Sequence, residues 1–214
     1  MSKFQLNLGS FVQGAFTPQA VNIAFVFQVN CPGCFIYGFP AMNYLYQQFK
    51  NKVGFIGVST AFEDFEHNNL SNTQLLLSQG LVVGETKKYL ANQGISTYSH
   101  LPTFPIAFDK MSTPAAFLTE ANLDSLVQRL TQSRTLLASE QTSLQENIKY
   151  HYKKYPAIAE SFALNQLRGT PSFILFKEDF TIIQSVFGHQ PVDCLLYTSP
   201  SPRDRTRSRM PSSA

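Results

Sequence analysis

The sequence has no tryptophan, little charge and no long hydrophobic run. No apolar stretch approaches the roughly 18 residues that a membrane-spanning helix needs, so we expect no membrane partner. The opening stretch, MSKFQLNLGSFVQGAF, carries one Lys and lacks the apolar core of a secretory signal, which favours a cytoplasmic location. Charged residues make up only 14% of the chain, but 19 Phe and 9 Tyr can form an apolar core and exclude general disorder.

The composition changes at Cys194, where a tail rich in Arg and Ser begins. Residues 194–214 resemble the translation of a transposase-type sequencing-library adapter, in which the constant stretches Cys194–Asp204 and Ser208–Ala214 flank a short variable index. Both constant stretches agree in one reading frame without a mismatch. We therefore interpret residues 194–214 as an artefactual, disordered tail that is not part of the folded domain. On this interpretation the natural C-terminus is missing, and residues 1–193 form a single domain.

The tail accounts for the apparent basicity of the chain. The full sequence has 17 Lys and Arg against 14 Asp and Glu, a net charge of +3. The tail holds four of the basic residues and one of the acidic residues, so the remaining body carries thirteen of each and is neutral. A neutral body lacks the electrostatic footprint of a nucleic-acid-binding protein. It also keeps only two cysteines, Cys31 and Cys34, so no odd thiol is left for intermolecular pairing.

Hydrophobic patterning predicts an α/β sheet with a crossover connection. Val21–Val29 is a β-branched and aromatic run typical of a buried central strand. Residues 172–176 and 181–186 flank a KEDF turn and predict a terminal hairpin. Further strands are predicted at 53–58 and 104–108, and helices at 34–49, 72–79, 85–92, 120–137 and 143–167. Pro40 is expected to kink the first helix and Pro156 to interrupt the last, and no strand-like run is seen within 113–167.

The motif Cys31-Pro32-Gly33-Cys34 joins the first of these strands to the first helix. Two intervening residues let the two sulfurs meet at bonding distance. The first sulfur faces the helix N-terminus, where free N–H groups and the helix dipole stabilise a thiolate. We therefore predict that Cys31 is the nucleophile and that Cys34 is the resolving thiol that attacks the mixed disulfide. The redox-active Cys31–Cys34 pair would then act without a separate cofactor.

The residues alone leave other uses of this cysteine pair open. A zinc site needs four ligands, and the chain has no second Cys pair and no His residues at ligand spacing, so we expect no metal ligands. Two buried, inert cysteines are a further alternative. A peroxidase of the peroxiredoxin type would need Thr or Ser three residues before its reactive Cys, where this chain has Gln28. A copper chaperone would need three residues between its cysteines.

Residues 21–110 and 167–188 resemble the thioredoxin fold, in the redoxin branch that includes TlpA-like thiol–disulfide reductases and the alkyl-hydroperoxide-reductase superfamily. The matching stretches are FVFQVNCPGC, VGFIGVSTAFEDF, FPIAFD and RGTPSFILFKEDFTI. The resemblance implies that the Thr170–Pro171 bond is cis and packs beside the CxxC motif. It also implies that the Thr170 backbone pairs with an extended substrate segment, with Pro32 and Gly33 in contact with the substrate. The alternative is a plain strand-entry proline.

The chain departs from this family at three positions near the motif. Typical members carry Trp before the first Cys, where this chain has Asn30. TlpA-like proteins often have Glu three residues after the second Cys, and here that position is Tyr37. The buried carboxylate of thioredoxin matches Phe25. The usual proton acceptor for Cys34 is therefore missing from both places, and Glu63 or Asp64 either replaces it or lies in a solvated turn.

The expected fold is a thioredoxin fold with a central mixed sheet and a helical insertion, 113–167, before the cis-Pro strand. The insertion is similar in placement to that of DsbA, and it either covers one face of the sheet or acts as a specificity lid. The final helix of the family would begin near Gly188–Asp193, so we expect it to be truncated. The predicted activity is thiol–disulfide exchange on a protein substrate with a separate electron donor. The alternatives are a thiol peroxidase-like redoxin and a non-catalytic module that binds a metal or a partner protein.

Overall fold

Six strands form the central sheet of the computed structural model, which describes residues 2–131, 134 and 136–189. Along the sheet their order is β1-β4-β3-β2-β7-β8. The bounds are β1 Leu8–Gln13, β2 Val21–Phe27, β3 Gly54–Ser59, β4 Ile106–Asp109, β7 Ser172–Lys177 and β8 Ile182–Phe187. Strands β2, β3 and β4 are parallel, whereas β1, β7 and β8 each run antiparallel to their neighbours. The predicted mixed sheet and terminal hairpin are confirmed.

Two further strands, β5 and β6, form a small separate sheet, and helices complete the fold. Strand β5 is Met111–Ser112 and β6 is Ile158–Ala159, and they pair antiparallel. The helices are α1 Phe39–Phe49, α2 Leu70–Gln79, α3 Gly84–Ala91, α4 Pro114–Phe117, α5 Glu120–Leu130, α6 Ala138–Tyr152 and α7 Glu160–Leu164. Over the described ranges, none of these helices is long and apolar enough to cross a membrane. The predicted tail at 194–214 and the predicted loss of a final helix lie outside the described residues.

Strand β2 lies in the middle of the sheet and is buried on both faces. Ile23, Phe25 and Phe27 point into one apolar cluster, with α1 and the rings of Phe104 and Phe173. Ala24 and Val26 point into a second cluster on the opposite face. This two-sided burial explains why the strand reads as a continuous apolar run rather than as an alternating one. It also fixes the position of the residues that follow β2.

A π-helical turn, Cys34–Gly38, precedes α1. The Phe39 N–H donates to the carbonyl of Cys34, five residues back. Pro40 has no N–H to donate, and it occupies the first turn of α1, where a missing donor costs least. The hydrogen-bond register thus changes between the cysteine motif and the α-helix.

The insertion differs from the sequence prediction at its ends. The predicted helix at 120–137 ends at Leu130, and the predicted helix at 143–167 begins earlier, at Ala138, and ends at Tyr152. The chain then turns before Pro156 and forms β6, which contradicts the expectation of no strand within 113–167. Strand β6 forms by pairing with β5, which lies just before the insertion. No pattern within 113–167 alone could therefore reveal it. The insertion has its own apolar cluster, which includes Phe117, Leu126 and Ile148.

The first strand of the sheet, β1, was not predicted. It pairs with β4 at the edge of the sheet, and its residues are exposed or half-buried. An edge strand with this exposure carries no continuous apolar run to reveal it.

Candidate functional site

The topology of the sheet brings the cysteine motif and Pro171 to the same end of the sheet, where β2 finishes and β7 begins. Strand β2 ends at Phe27, just before the motif, and β7 begins at Ser172, just after Pro171. Because β7 is antiparallel to β2, with Val26 opposite Ser172, the end of one strand lies beside the start of the other. The predicted grouping of the CxxC motif with Pro171 therefore follows from strand register.

The two cysteine sulfurs are in direct contact. Cys34 Sγ donates to Cys31 Sγ at 2.7 Å, and both cysteines are free thiols. The turn that holds them closes through the Cys34 N–H, which donates to the Cys31 carbonyl at 3.0 Å. Pro32 and Gly33 lie in this first helical turn and are partly exposed. The two residues between the cysteines thus bring the sulfurs together, as the spacing of the motif predicts, and the pair is poised to form a disulfide.

The environments of the two thiols differ, and their pKa values shift in opposite directions. The Cys34 thiol, which donates to Cys31, lowers the pKa of Cys31 to about 7 in spite of partial burial, which raises it. Cys34 is fully buried, and this burial raises its pKa well above the ordinary value. Near neutral pH, Cys31 is therefore the sulfur that carries negative charge and can reach solvent.

The Thr170–Pro171 peptide bond is cis, as the resemblance implies. Cys31 Sγ donates to the Thr170 carbonyl at 3.4 Å. A Cβ added at Gly33 would meet Pro171 Cδ at 3.6 Å, an ordinary contact distance, so the proline ring packs against the motif. Pro171 is thus a direct neighbour of the cysteine pair and lies immediately before β7.

Gln28 is a site residue whose contact the sequence did not predict. Its side chain is buried, and Gln28 Oε1 accepts a hydrogen bond from Thr170 Oγ1 at 3.2 Å. Gln28, at the position where a peroxiredoxin has Thr or Ser, therefore holds the Thr170 side chain through this hydrogen bond. The partner is 142 residues away in the chain, so no local pattern could reveal it.

Asn30 occupies the position at which thioredoxin-like proteins typically carry Trp, and its hydrogen bonds attach the motif to α3 and to the loop between β3 and α2. Its amide oxygen accepts from the Glu85 N–H at 2.6 Å, and its amide nitrogen donates to Asp64 Oδ2 at 2.9 Å. Its backbone N–H donates to Asn68 Oδ1 at 3.0 Å. The polar side chain thus supplies a directional attachment in place of an aromatic packing surface.

The two positions at which the resemblance would place a proton acceptor for Cys34 hold Phe25 and Tyr37. Phe25 is fully buried among other aromatic rings, and Tyr37 is 46% exposed and lies against the His189 ring. Glu63 and Asp64 are both exposed, which agrees with the solvated-turn alternative. The Phe25 ring occupies the space above Gly38, where an added Cβ would overlap it.

A buried carboxylate, Asp109, lies at the same end of the sheet as the cysteine motif, where β4 finishes. Burial raises its pKa to about 6. It accepts hydrogen bonds from Thr60 Oγ1 at 2.9 Å and from the backbone N–H groups of Ser161 at 2.9 Å and Phe162 at 3.1 Å. These contacts attach α7, and with it the end of the insertion, to the sheet. The strand predicted at 104–108 ends one residue before Asp109, to which the sequence assigns no role.

The donor set around the cysteine pair is small. Among the described residues, no group of three or more His, Cys, Asp or Glu side chains is arranged to hold a metal ion. Cys31 and Cys34 by themselves supply two of the four ligands of a structural zinc site.

Comparison of the sequence with protein-family models found no match, and comparison with curated proteins found none either. The structure is similar to a thiol–disulfide isomerase from Corynebacterium glutamicum, with a TM-score of 0.54, 18% identity and coverage of 92% of this chain and 93% of that chain. It is also similar to a solved thioredoxin-like superfamily protein, with a TM-score of 0.51, 18% identity and coverage of 91% of each chain. The expected thioredoxin fold is therefore confirmed.

Proposed function

We propose that this chain is a thiol–disulfide oxidoreductase that acts on protein disulfides through Cys31 and Cys34. The proposal rests on two sulfurs 2.7 Å apart whose pKa values shift in opposite directions. A pKa of about 7 makes Cys31 a thiolate near neutral pH, while Cys34 remains protonated and shielded. The fold shared with the Corynebacterium isomerase supports the same interpretation.

In the reducing direction, the Cys31 thiolate attacks one sulfur of a substrate disulfide. A bond forms between Cys31 and the substrate, the substrate S–S bond breaks, and the other substrate sulfur leaves as a thiolate that takes up a proton. Cys34 then loses its proton and attacks Cys31 Sγ, which releases the second substrate sulfur. The substrate gains two electrons and two protons, and the Cys31–Cys34 disulfide is the oxidised product. A separate dithiol donor returns the pair to its reduced form.

The substrate lies across Thr170 and the exposed side of the motif. Support comes from the 3.4 Å contact between Cys31 Sγ and the Thr170 carbonyl, and from the packing of Pro171 against Gly33. An extended segment that pairs with the Thr170 backbone would place its own sulfur next to Cys31, with Pro32 and Gly33 alongside. Gln28 holds the Thr170 side chain and so positions this backbone.

Reduction of insulin by dithiothreitol, followed by turbidity, tests the activity. The parent protein is expected to accelerate precipitation, and Cys31→Ser to return it to the uncatalysed rate. The matched control is Cys194→Ser, which replaces the same residue type in the tail and is expected to keep the parent rate. Equal rates for the parent and Cys31→Ser would end the enzymatic interpretation.

Trapping of the intermediate separates catalysis from simple binding. Cys34→Ser removes the resolving thiol, so a mixed disulfide between Cys31 and the substrate is expected to accumulate and to appear in mass spectra of the intact protein. A non-catalytic module that uses the pair for a metal would instead show bound metal after purification and no such adduct.

A further inference from the structure

A cavity of about 190 Å³ lies between the end of the insertion and Phe62, in the loop that follows β3. We call it the aromatic pocket, and its walls include Phe62, Tyr152, Tyr155, Ala157, Phe162 and Leu167. Phe62 follows β3, Phe162 belongs to α7, and Tyr152 ends α6. The pocket thus forms where the end of the insertion packs against the loop that follows β3. It is reachable from solvent, since Tyr155 is 37% exposed.

The size of the pocket limits what it can hold. Sites for cofactors and other small molecules usually measure roughly 300–1,000 Å³. An apolar cavity of roughly 150 Å³ holds one benzene ring. At about 190 Å³ the aromatic pocket matches a single ring and is too small for a nucleotide or a flavin.

The lining of the pocket favours an uncharged aromatic group. The Phe62 and Phe162 rings are stacked, with centroids 3.9 Å apart, and His151 and Tyr155 meet edge to face at 5.3 Å. Such rings gain from a further stacked or edge-on neighbour. The described lining residues include no Asp, Glu, Lys or Arg, so a charged ligand would find no counter-charge.

The pocket lies close to the cysteine pair along the chain. Leu167 lines the pocket, and Thr170, three residues later, contacts Cys31 Sγ at 3.4 Å. Three residues span at most roughly 10 Å, so the pocket wall lies within reach of a substrate bound at Thr170. On the other side, the Thr60 N–H donates to the Phe27 carbonyl at 2.8 Å, which places the loop that carries Phe62 beside the end of β2. A substrate segment that pairs with Thr170 and continues past Leu167 would therefore reach the pocket.

We propose that the aromatic pocket binds one aromatic side chain of the substrate polypeptide, three or four residues from the cysteine that Cys31 attacks. This inference rests on the proposed function and adds a specificity site to it. The spacing follows from the separation of Leu167 and Thr170, because an extended peptide advances roughly 3.3 Å per residue. The insertion then acts as one wall of a substrate site.

Synthetic peptides test the site on the parent protein. Each peptide carries one disulfide to a small fluorescent leaving thiol, with Phe or Ala at the third or fourth position on either side of its cysteine. Because burial of one Phe side chain favours binding strongly, we expect kcat/KM for at least one Phe peptide to exceed that of its Ala partner by about tenfold or more. Equal kcat/KM values for all peptides would overturn the pocket but leave the oxidoreductase activity standing. If the parent protein reduced none of them, the proposed function itself would fail.

A filled pocket provides the second test. Ala157→Phe places a ring in the cavity and is expected to bring the ratio of the Phe-peptide and Ala-peptide kcat/KM values to about one. The control is Ala138→Phe, an exposed position at the start of α6, about 20 Å along the helix from His151. It is expected to keep the parent ratio. An unchanged ratio in folded Ala157→Phe would contradict the proposal. Binding of N-acetylphenylalaninamide that Ala157→Phe abolishes, with no peptide preference in the parent, would assign the pocket to a free aromatic compound instead.

Discussion

The pKa of Cys31 predicts how fast an alkylating reagent modifies the reduced protein. With a pKa of about 7, lowered from 9.0, about half of the thiol is ionised at pH 7, against about 1% of an ordinary thiol. This is a gain of roughly fiftyfold in thiolate. The intrinsic nucleophilicity of a thiolate falls as the pKa of its thiol falls, by roughly six- to tenfold for a pKa decrease of two units. We therefore expect Cys31 to react about five to eight times faster at pH 7 than an ordinary thiol.

The resolving cysteine provides the perturbation. The Cys34 thiol is the largest cause of the lowered Cys31 pKa, and burial works in the opposite direction. Cys34→Ala removes this donor and leaves burial, so the pKa of Cys31 is expected to rise and the pH of half-maximal alkylation to move upward. Cys34→Ser keeps a hydroxyl donor and is expected to move it less.

The assay is iodoacetamide labelling of the reduced protein between pH 5 and pH 10, followed by mass spectrometry. A Cys194→Ser background removes the third thiol. We expect one label, on Cys31, with a midpoint near pH 7, because Cys34 is fully buried and its pKa is raised. A midpoint near pH 9 in the parent, or the same midpoint in Cys34→Ala, would refute the electrostatic reasoning.

Two further predictions concern stability. The Asp109 pKa is raised from 3.8 to about 6, so its contribution favours folding below pH 4 and is lost as the pH rises to about 6, a change of about 3 kcal/mol. Urea unfolding at pH 4 and pH 7 should show this loss in the parent and a smaller one in Asp109→Asn; equal losses would contradict it. Gly38→Ala forces a Cβ into the Phe25 ring and should lower the free energy of unfolding by about 1–3 kcal/mol. Adding Phe25→Leu should recover part of that loss, and an unchanged urea midpoint in Gly38→Ala would show that the ring moves freely.

The strands around the site were predictable because burial on both faces leaves a continuous apolar run. This holds for β2 and β7, whose residues are mostly buried. Strand β1 was missed because an edge strand needs no such run. Strand β6 was missed because two residues form a strand only through their partner β5, more than forty residues away. The predicted C-terminal end of α6 was wrong for a related reason. The chain must leave the helix in time for β6 to pair with β5.

The candidate site divides in the same way. The cysteine spacing and the cis bond at Thr170–Pro171 were predictable, because motif and resemblance both place them. The contact of Gln28 with Thr170 was not, because its partner is distant in sequence. The burial of Asp109 could not be predicted from the sequence either, because it depends on α7 packing over the side chain. The raised pKa of Asp109 follows from this burial.

The packing of Phe25 against Gly38 restricts how this protein can evolve. Phe25 stacks on Phe27 and Phe173 and meets Phe39 edge to face. A carboxylate at position 25, where thioredoxin has one, would leave an empty, charged hole among these rings. A larger residue at Gly38 would first collide with the ring. A change at either position therefore alters the packing around the other, so we expect the effects of mutations at positions 25 and 38 on stability to be non-additive.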